Sequence, residues 1–227
     1  MSIIETVILL NNEAVIPSAI VNSVVIVIVL CVLFILGGRM VQKADPRLPS
    51  KGIVLIFELV VEGIDKLCQS MLGDKKGRYG PFIGSLIAYL LVANLLGLFG
   101  FTAPTTNYNV TLSLALFAIA YMHLSGVRAK GMGRYLKDTF LGDYPLLLPL
   151  NAIGEVAKIL SLSFRLFGNI LSGSVISFVI MYLMGWFAII MMPVLNIYFD
   201  IFAGLIQTLI FCFLFIIWFG GAVVTEE

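Results

Sequence analysis

Long apolar runs alternate with short charged stretches along this chain, and the runs are long enough to predict helices that cross a membrane. Ala14 to Leu36 is apolar apart from Ser18, Asn22 and Ser23, and Gly37, Gly38 and Arg39 close it, so a first crossing is predicted over residues 14–39. Pro81 to Phe101 and Val110 to Gly126 predict a helical hairpin over 81–127, turned by Thr102-Ala-Pro-Thr-Thr-Asn-Tyr-Asn109. Residues 145–224 read as two long helices, Pro145 to Trp186 and Val194 to Val224, separated by Met191, Met192 and Pro193. A hydrocarbon core about 30 Å thick takes roughly 20 helical residues, so these two helices are expected to tilt steeply, bend or lie partly along the membrane.

Residues 52–72 follow another pattern. Glu58, Glu62, Asp65, Lys66 and Gln69 fall on one helical face, and Phe57, Val60, Val61, Ile64, Leu67, Cys68 and Met71 fall opposite. That arrangement predicts an amphipathic helix lying in the membrane interface. The fold class is therefore an all-α polytopic membrane protein: about five membrane-embedded helices plus one interfacial helix, in a single membrane domain over 1–227.

Composition agrees and charge supplies an orientation. The 227 residues are 60% hydrophobic and 12% charged with mean hydropathy +1.07, far from the roughly 25% charged content of soluble domains. Of the 14 Lys and Arg, all but Lys158 and Arg165 fall in two windows, Arg39 to Arg78 and Arg128 to Lys137. The positive-inside rule makes both windows cytoplasmic, which places the N-terminus and the Tyr108 region outside and the C-terminus inside. The first apolar segment follows Glu5 and Glu13, not a basic stretch, and is expected to be a retained helix. Cys31, Cys68 and Cys212 have no ligand-like spacing and read as buried or lipid-facing thiols.

Arg165 is the last cation in the chain and lies deep in apolar sequence. A buried Lys or Arg costs roughly 2.5–3.5 kcal/mol on insertion scales, so it is expected to face a partner, a bundle interior or a wet path. On a helix, Asn151, Glu155, Lys158, Ser161, Arg165, Asn169 and Ser172 follow one another at spacings of 4, 3, 3, 4, 4 and 3, a continuous polar line. Asn196, Asp200 and Gln207 form a shorter line on the next helix, at spacings of 4 and 7. Two such faces predict a hydrated crevice. The competing structural reading makes Glu155 and Lys158 an internal ion pair and the amides interhelical ties, yet it leaves Arg165 without a counter-charge except from Asp200 or another chain. His123, the one histidine, reads as an interfacial residue. No nucleotide-binding loop, zinc spacing or nucleophile-base pair is present, so no covalent chemistry and no cofactor are expected of the chain alone.

Phe164-Arg-Leu-Phe-Gly-Asn169, Leu205-Ile-Gln-Thr-Leu-Ile-Phe211 and the loop Pro104-Thr-Thr-Asn-Tyr-Asn-Val-Thr-Leu112 together resemble subunit a of the F-type ATP synthase membrane sector. The resemblance runs from about Gly37 to the C-terminus. It implies a stator beside a ring of c subunits, held by peripheral-stalk b subunits in a lipid bilayer, the bacterial plasma membrane being expected, with no nucleic acid involved. Arg165 would then be the fixed charge that meets each ring carboxylate and separates two half-channels. Asn169 and Gln207 match the family pattern, and Lys158 and Asp200 fall where polar residues line its access paths. Many proton-using relatives have Glu where this chain has Ser174, His or Glu at Asp200, and Asp at Asn107. The oxygens of Ser172, Ser174, Asn107, Asn196, Asp200 and Gln207 suit a hard cation, so the inventory inclines towards transient Na⁺ in place of H⁺. An autonomous transporter with Arg165 binding an anion is the alternative; it would require a paired repeat around a central cavity, and none is visible. An intramembrane enzyme lacks its reacting groups.

Overall fold

The computed structural model describes residues 17–43, 52–73, 76–99, 101–141, 146 and 148–223, and among them all regular structure is helical. Residues 14–16, 145 and 224, at the ends of predicted segments, lie outside the described residues. Four stretches are long and apolar enough to cross a membrane: Ser18–Gln42, Tyr79–Phe99, Tyr108–Lys130 and the 76-residue run Leu148–Val223, which is not one helix but several.

Helix α1 spans Ser18–Lys43 and α2 spans Ile53–Leu72. Gly37 and Gly38 do not end α1. Gly37 is where α2 approaches, since a Cβ there would stand 2.8 Å from the Phe57 ring. Helix α2 lies between two glycines with left-handed φ, Gly52 at 64° and Gly73 at 53°. It turns Cys68 and Leu72 into the core and leaves Glu62 and Lys66 outside, paired at 2.7 Å.

Helix α3, Lys76–Leu95, tightens into a 3₁₀ turn at Leu96–Phe99. Helix α4, Tyr108–Lys130, is capped by Asn107, whose Oδ1 accepts the Asn109 N–H at 2.9 Å. Arg128 and Lys130 occupy its last turn, where cations favour the helix dipole. Gly131, at φ 82°, reverses the chain into the short α5, Met132–Leu136, and a π turn at Lys137–Leu141.

Helix α6, Leu148–Met184, has 37 residues, about 55 Å at 1.5 Å per residue and well beyond the hydrocarbon thickness. The expected break at Met191–Pro193 is displaced. The chain turns at Gly185, whose φ of 51° a residue with a Cβ adopts only under strain, through the 3₁₀ segment Gly185–Phe187. Pro193 sits inside α7, Ala188–Asn196, where it forfeits one backbone bond without stopping the helix. A π turn at Ile197–Ala203 then leads into α8, Gly204–Val223.

Helix α8 is the central post. Its Phe211, Phe215, Ile216 and Phe219 are fully buried against Ile83 and Leu90 of α3, and Ala115, Ala118 and Ile119 of α4. The alanines let the backbones approach, as small residues do between helices in lipid. Leu162 and Leu166 fasten α6 to the same core, which fixes the direction of every other residue on that helix.

Candidate functional site

Burial of Leu162 and Leu166 places Arg165 at the edge of the core, half-buried, in a crevice of about 510 Å³. Leu67 of α2, Ile87 of α3 and Thr208, Leu209, Ile210 and Phe213 of α8 line it. The guanidinium is poorly satisfied. Nη2 reaches Ser161 Oγ at 3.4 Å, the long limit of a hydrogen bond, and Nη1 is buried without an acceptor. Among the described residues Arg165 makes no ion pair, with Asp200 or otherwise. Gln207, 7% exposed, likewise buries its Nε2 without an acceptor. Leaving a buried charge-bearing donor unmade costs more than an ordinary hydrogen bond returns, so the site calls for an anion that none of the described residues supplies.

At the end bearing Arg128 to Lys137, a second cavity of about 340 Å³ is lined by Lys130, Tyr135, Asp138, Thr139, Glu155, Lys158 and Trp218, among others. Lys158 Nζ donates to Glu155 Oε1 at 2.7 Å and stands 5.8 Å from the Trp218 ring centroid. The internal ion pair weighed against the polar path is therefore present, and it occupies one carboxylate oxygen only. Glu155 Oε2 is buried with no hydrogen-bond partner, 3.6 Å from His123 Nε2. His123 Nδ1 lies 2.7 Å from the Tyr135 hydroxyl. Expected as an isolated interfacial residue, His123 instead joins α4, α5 and α6. Asn151 donates to the Phe140 carbonyl at 3.0 Å and ties the start of α6 to the preceding turn.

Towards the Asn107 end, Asp200 is half-buried on the π turn and lies against Gly97 in the 3₁₀ turn that follows α3. Close by, Asn94 is 2% exposed and donates to the Gly204 carbonyl at 3.3 Å and to Thr208 Oγ1 at 3.0 Å, while Thr105 donates to its Oδ1 at 3.4 Å. This buried knot joins α3, the 3₁₀ turn at Pro104–Thr106 and α8.

The short polar line on the last helices does not form a single α-helical face. A π turn holds more than 3.6 residues per revolution, so seven positions across Ile197–Ala203 are not two α-helical turns, and Asp200 and Gln207 occupy separate settings. Asn196 closes α7, and its side chain lies outside the described residues. Asn169 is half-buried one turn beyond Arg165. Ser172 and Ser174 are exposed and donate to their own helix, at the Asn169 and Ile170 carbonyls, each at 2.9 Å. With Asn107 acting as a cap, these oxygens are not gathered at one point. Among the described residues no group of three or more His, Cys, Asp or Glu is placed to hold a metal ion.

Sequence reasoning missed Asn94, Thr105 and Thr208, and set His123 aside. Asn94 could have been found as the one amide inside the apolar run Leu86 to Leu98. Tyr135 gave no signal, because only the left-handed turn at Gly131 brings it back against α4.

A family model described as ATP synthase A chain matches residues 20–220. The chain is 35% identical over 197 residues to ATP synthase subunit a of Syntrophobacter fumaroxidans, covering 84% of this chain and 80% of that one. It is 34% identical over 207 residues to ATP synthase subunit a of Aliarcobacter butzleri, and 33% identical over 206 residues to that of Helicobacter hepaticus, with 88% of both chains covered in each case.

Proposed function

Because the chain belongs to the ATP synthase subunit a family, we propose that it supplies two half-channels to the carboxylates of a c-subunit ring and converts ion flow into ring rotation. The observation that carries this reading is the Arg165 guanidinium, half-buried in a crevice with Nη1 unpaired and no anion beside it among the described residues. A ring carboxylate arriving at that crevice supplies the missing acceptor. Arginine suits the role because it keeps its charge where desolvation neutralises lysine.

The half-channels lie on either side of that charge. Glu155, Lys158 and the cavity of about 340 Å³ form the one at the basic end, with Asn151 fixing the start of α6. Asn169, Ser172, Ser174, Asn196, Asp200 and Gln207 belong to the other. The positive-inside rule makes the basic end cytoplasmic, so the N-terminus is outside and the C-terminus inside, in a bacterial plasma membrane. Peripheral-stalk b subunits hold the chain against ring torque. Each elementary charge crossing the full potential delivers about 2.3 kcal/mol per 100 mV, so several must pass per ATP.

The coupling ion on this reading is H⁺. The titratable residues Tyr135 and Glu155 border the basic-end cavity and His123 lies against both, whereas the oxygens that inclined the sequence towards Na⁺ are turned to their own backbone at Ser172, Ser174 and Asn107. Varying Na⁺ at fixed pH separates the two ions: Na⁺-dependent synthesis without acidification by the complex would reject H⁺. The decisive test of the whole reading is Arg165→Ala in the assembled complex. Coupled synthesis and ATP-driven ion uptake are expected to vanish while assembly persists, and normal coupling in that variant rejects the assignment.

A further inference from the structure

Left-handed Gly131 swings α5 back beneath α4, so that Tyr135, 2% exposed, packs against Gly126 and meets His123 edge-on at a ring-centroid distance of 6.0 Å. Their polar atoms are 2.7 Å apart, and the remaining ring nitrogen of His123 faces the unpartnered oxygen of Glu155. The charged and titratable groups around this histidine are few. Tyr135 comes from α5, and Glu155 and Lys158 from α6. Asp138 and Lys130 are engaged with each other at 3.6 Å, and α8 presents only Trp218 and the Gly221 carbonyl, which Lys130 also reaches at 3.2 Å.

Burial pushes the Tyr135 hydroxyl above its ordinary value, a hydrogen bond from Thr139 opposes that shift, and the Glu155 charge adds to it. The hydroxyl therefore keeps its proton at working pH and can donate it to Nδ1. A neutral imidazole that accepts at Nδ1 carries its own proton on Nε2, the nitrogen turned towards Glu155. That attraction opposes a geometry in which both Glu155 oxygens turn to Lys158.

We propose that His123, its tautomer and ring plane fixed by Tyr135, is a positioning residue that keeps the second oxygen of Glu155 apart from Lys158, buried behind the wall of the basic-end cavity, so that Glu155 is an ion acceptor as well as the partner of Lys158. The inference rests on the stator reading. A cavity of about 340 Å³ has room for several waters at roughly 30 Å³ each, and Glu155, Asp138 and Thr139 give them the polar partners they need. An ion released from the ring thus reaches a cavity whose wall carries a carboxylate with one oxygen still unclaimed.

The test uses the intact complex in vesicles, with ATP-driven ion uptake measured from about pH 5 to 8, the range in which a histidine changes charge. His123→Ala is expected to lower uptake roughly tenfold, the scale of removing the polar neighbour of a buried carboxylate. His123→Gln, whose amide N–H reaches where Nε2 does, is expected to restore most of the rate and to remove the inflection. Tyr135→Phe is expected to move that inflection. Equal losses in the Ala and Gln variants with an unmoved inflection in Tyr135→Phe indicate a merely structural role and overturn the proposal, as does a wild-type profile without an inflection. Wild-type rate and profile in the Ala and Phe variants overturn it too. Should His123→Ala not assemble, the Gln and Phe variants decide on the same profile. Arg165→Ala, run alongside, separates the two levels: uptake persisting there overturns the stator reading, while loss there with a silent His123 overturns this inference alone.

Discussion

The Asp200 carboxylate lies against Gly97, so close that a Cβ on residue 97 would stand 3.0 Å from Oδ2 and 3.1 Å from Oδ1. Gly97 ends α3 in a 3₁₀ turn and Asp200 rides the π turn before α8, so two irregular segments meet where one side chain is absent. No cation lies within ion-pair range of Asp200 among the described residues. The result is an unpaired carboxylate packed against a position that has no side chain.

On the proposed path through Asp200, adding bulk at residue 97 should obstruct ion flow without touching Arg165. Gly97→Ala forces the carboxylate aside by a few tenths of an ångström and is expected to slow ATP-driven ion uptake several-fold; Gly97→Val should slow it further. Asp200→Asn, with Gly97 intact, should lower uptake while assembly is unchanged. Wild-type uptake in Gly97→Val would remove Asp200 from the path.

Arg165 and Gln207 each bury a nitrogen that none of the described residues satisfies, so their worth should appear in coupling and not in stability. Arg165→Lys keeps the charge and loses the planar fork, and is expected to reduce synthesis at least roughly tenfold. Gln207→Leu removes an unpaired amide and should leave thermal stability within about 1 kcal/mol of wild type, yet still impair coupled synthesis. A large fall in melting temperature with normal coupling would reverse the assignment for Gln207.

Asn94 should behave in the opposite way. Its amide reaches the Gly204 carbonyl and Thr208, and it receives Thr105, all within a buried contact. Asn94→Ala is expected to destabilise the folded chain by about 1–2 kcal/mol, the range for interhelical hydrogen bonds in membranes together with the groups left unpaired. A double-mutant cycle with Thr208→Val, read by unfolding in detergent, isolates the shared part. Additive losses would show that the two side chains act independently.

The contrast between these residues shows what a one-dimensional pattern holds. Apolar length reveals the crossings, because a helix in lipid must satisfy its backbone internally and signals this over some 20 residues. Arg165 stood out because a cation in such sequence is rare and costly. The break at Gly185 was misplaced to Pro193, since proline is the stronger stop signal in general but is tolerated inside α7. The π turn at Ile197–Ala203 leaves no periodic trace, so Asp200 and Gln207 read as one face. The contact of His123 with Tyr135 depends on a chain reversal that returns α5 under α4, and spacing alone carries no such information.

That reversal has its own requirement at Gly126, which offers a last prediction. A Cβ on residue 126 would run into the Tyr135 ring, and ring and glycine are both buried. Gly126→Ala must therefore push Tyr135 outward, costing roughly 1–3 kcal/mol as overpacking does, and break the 2.7 Å contact with His123. The pH profile of ion uptake should shift as in Tyr135→Phe. Pairing Gly126→Ala with Tyr135→Ala separates the two effects. Removing the ring relieves the clash, so the double variant should regain stability relative to Gly126→Ala with Tyr135 intact. It cannot regain the hydroxyl on His123, so its pH profile should stay altered. Recovery of both stability and profile would show that the ring of Tyr135 only fills space and that its hydroxyl has no part in ion release.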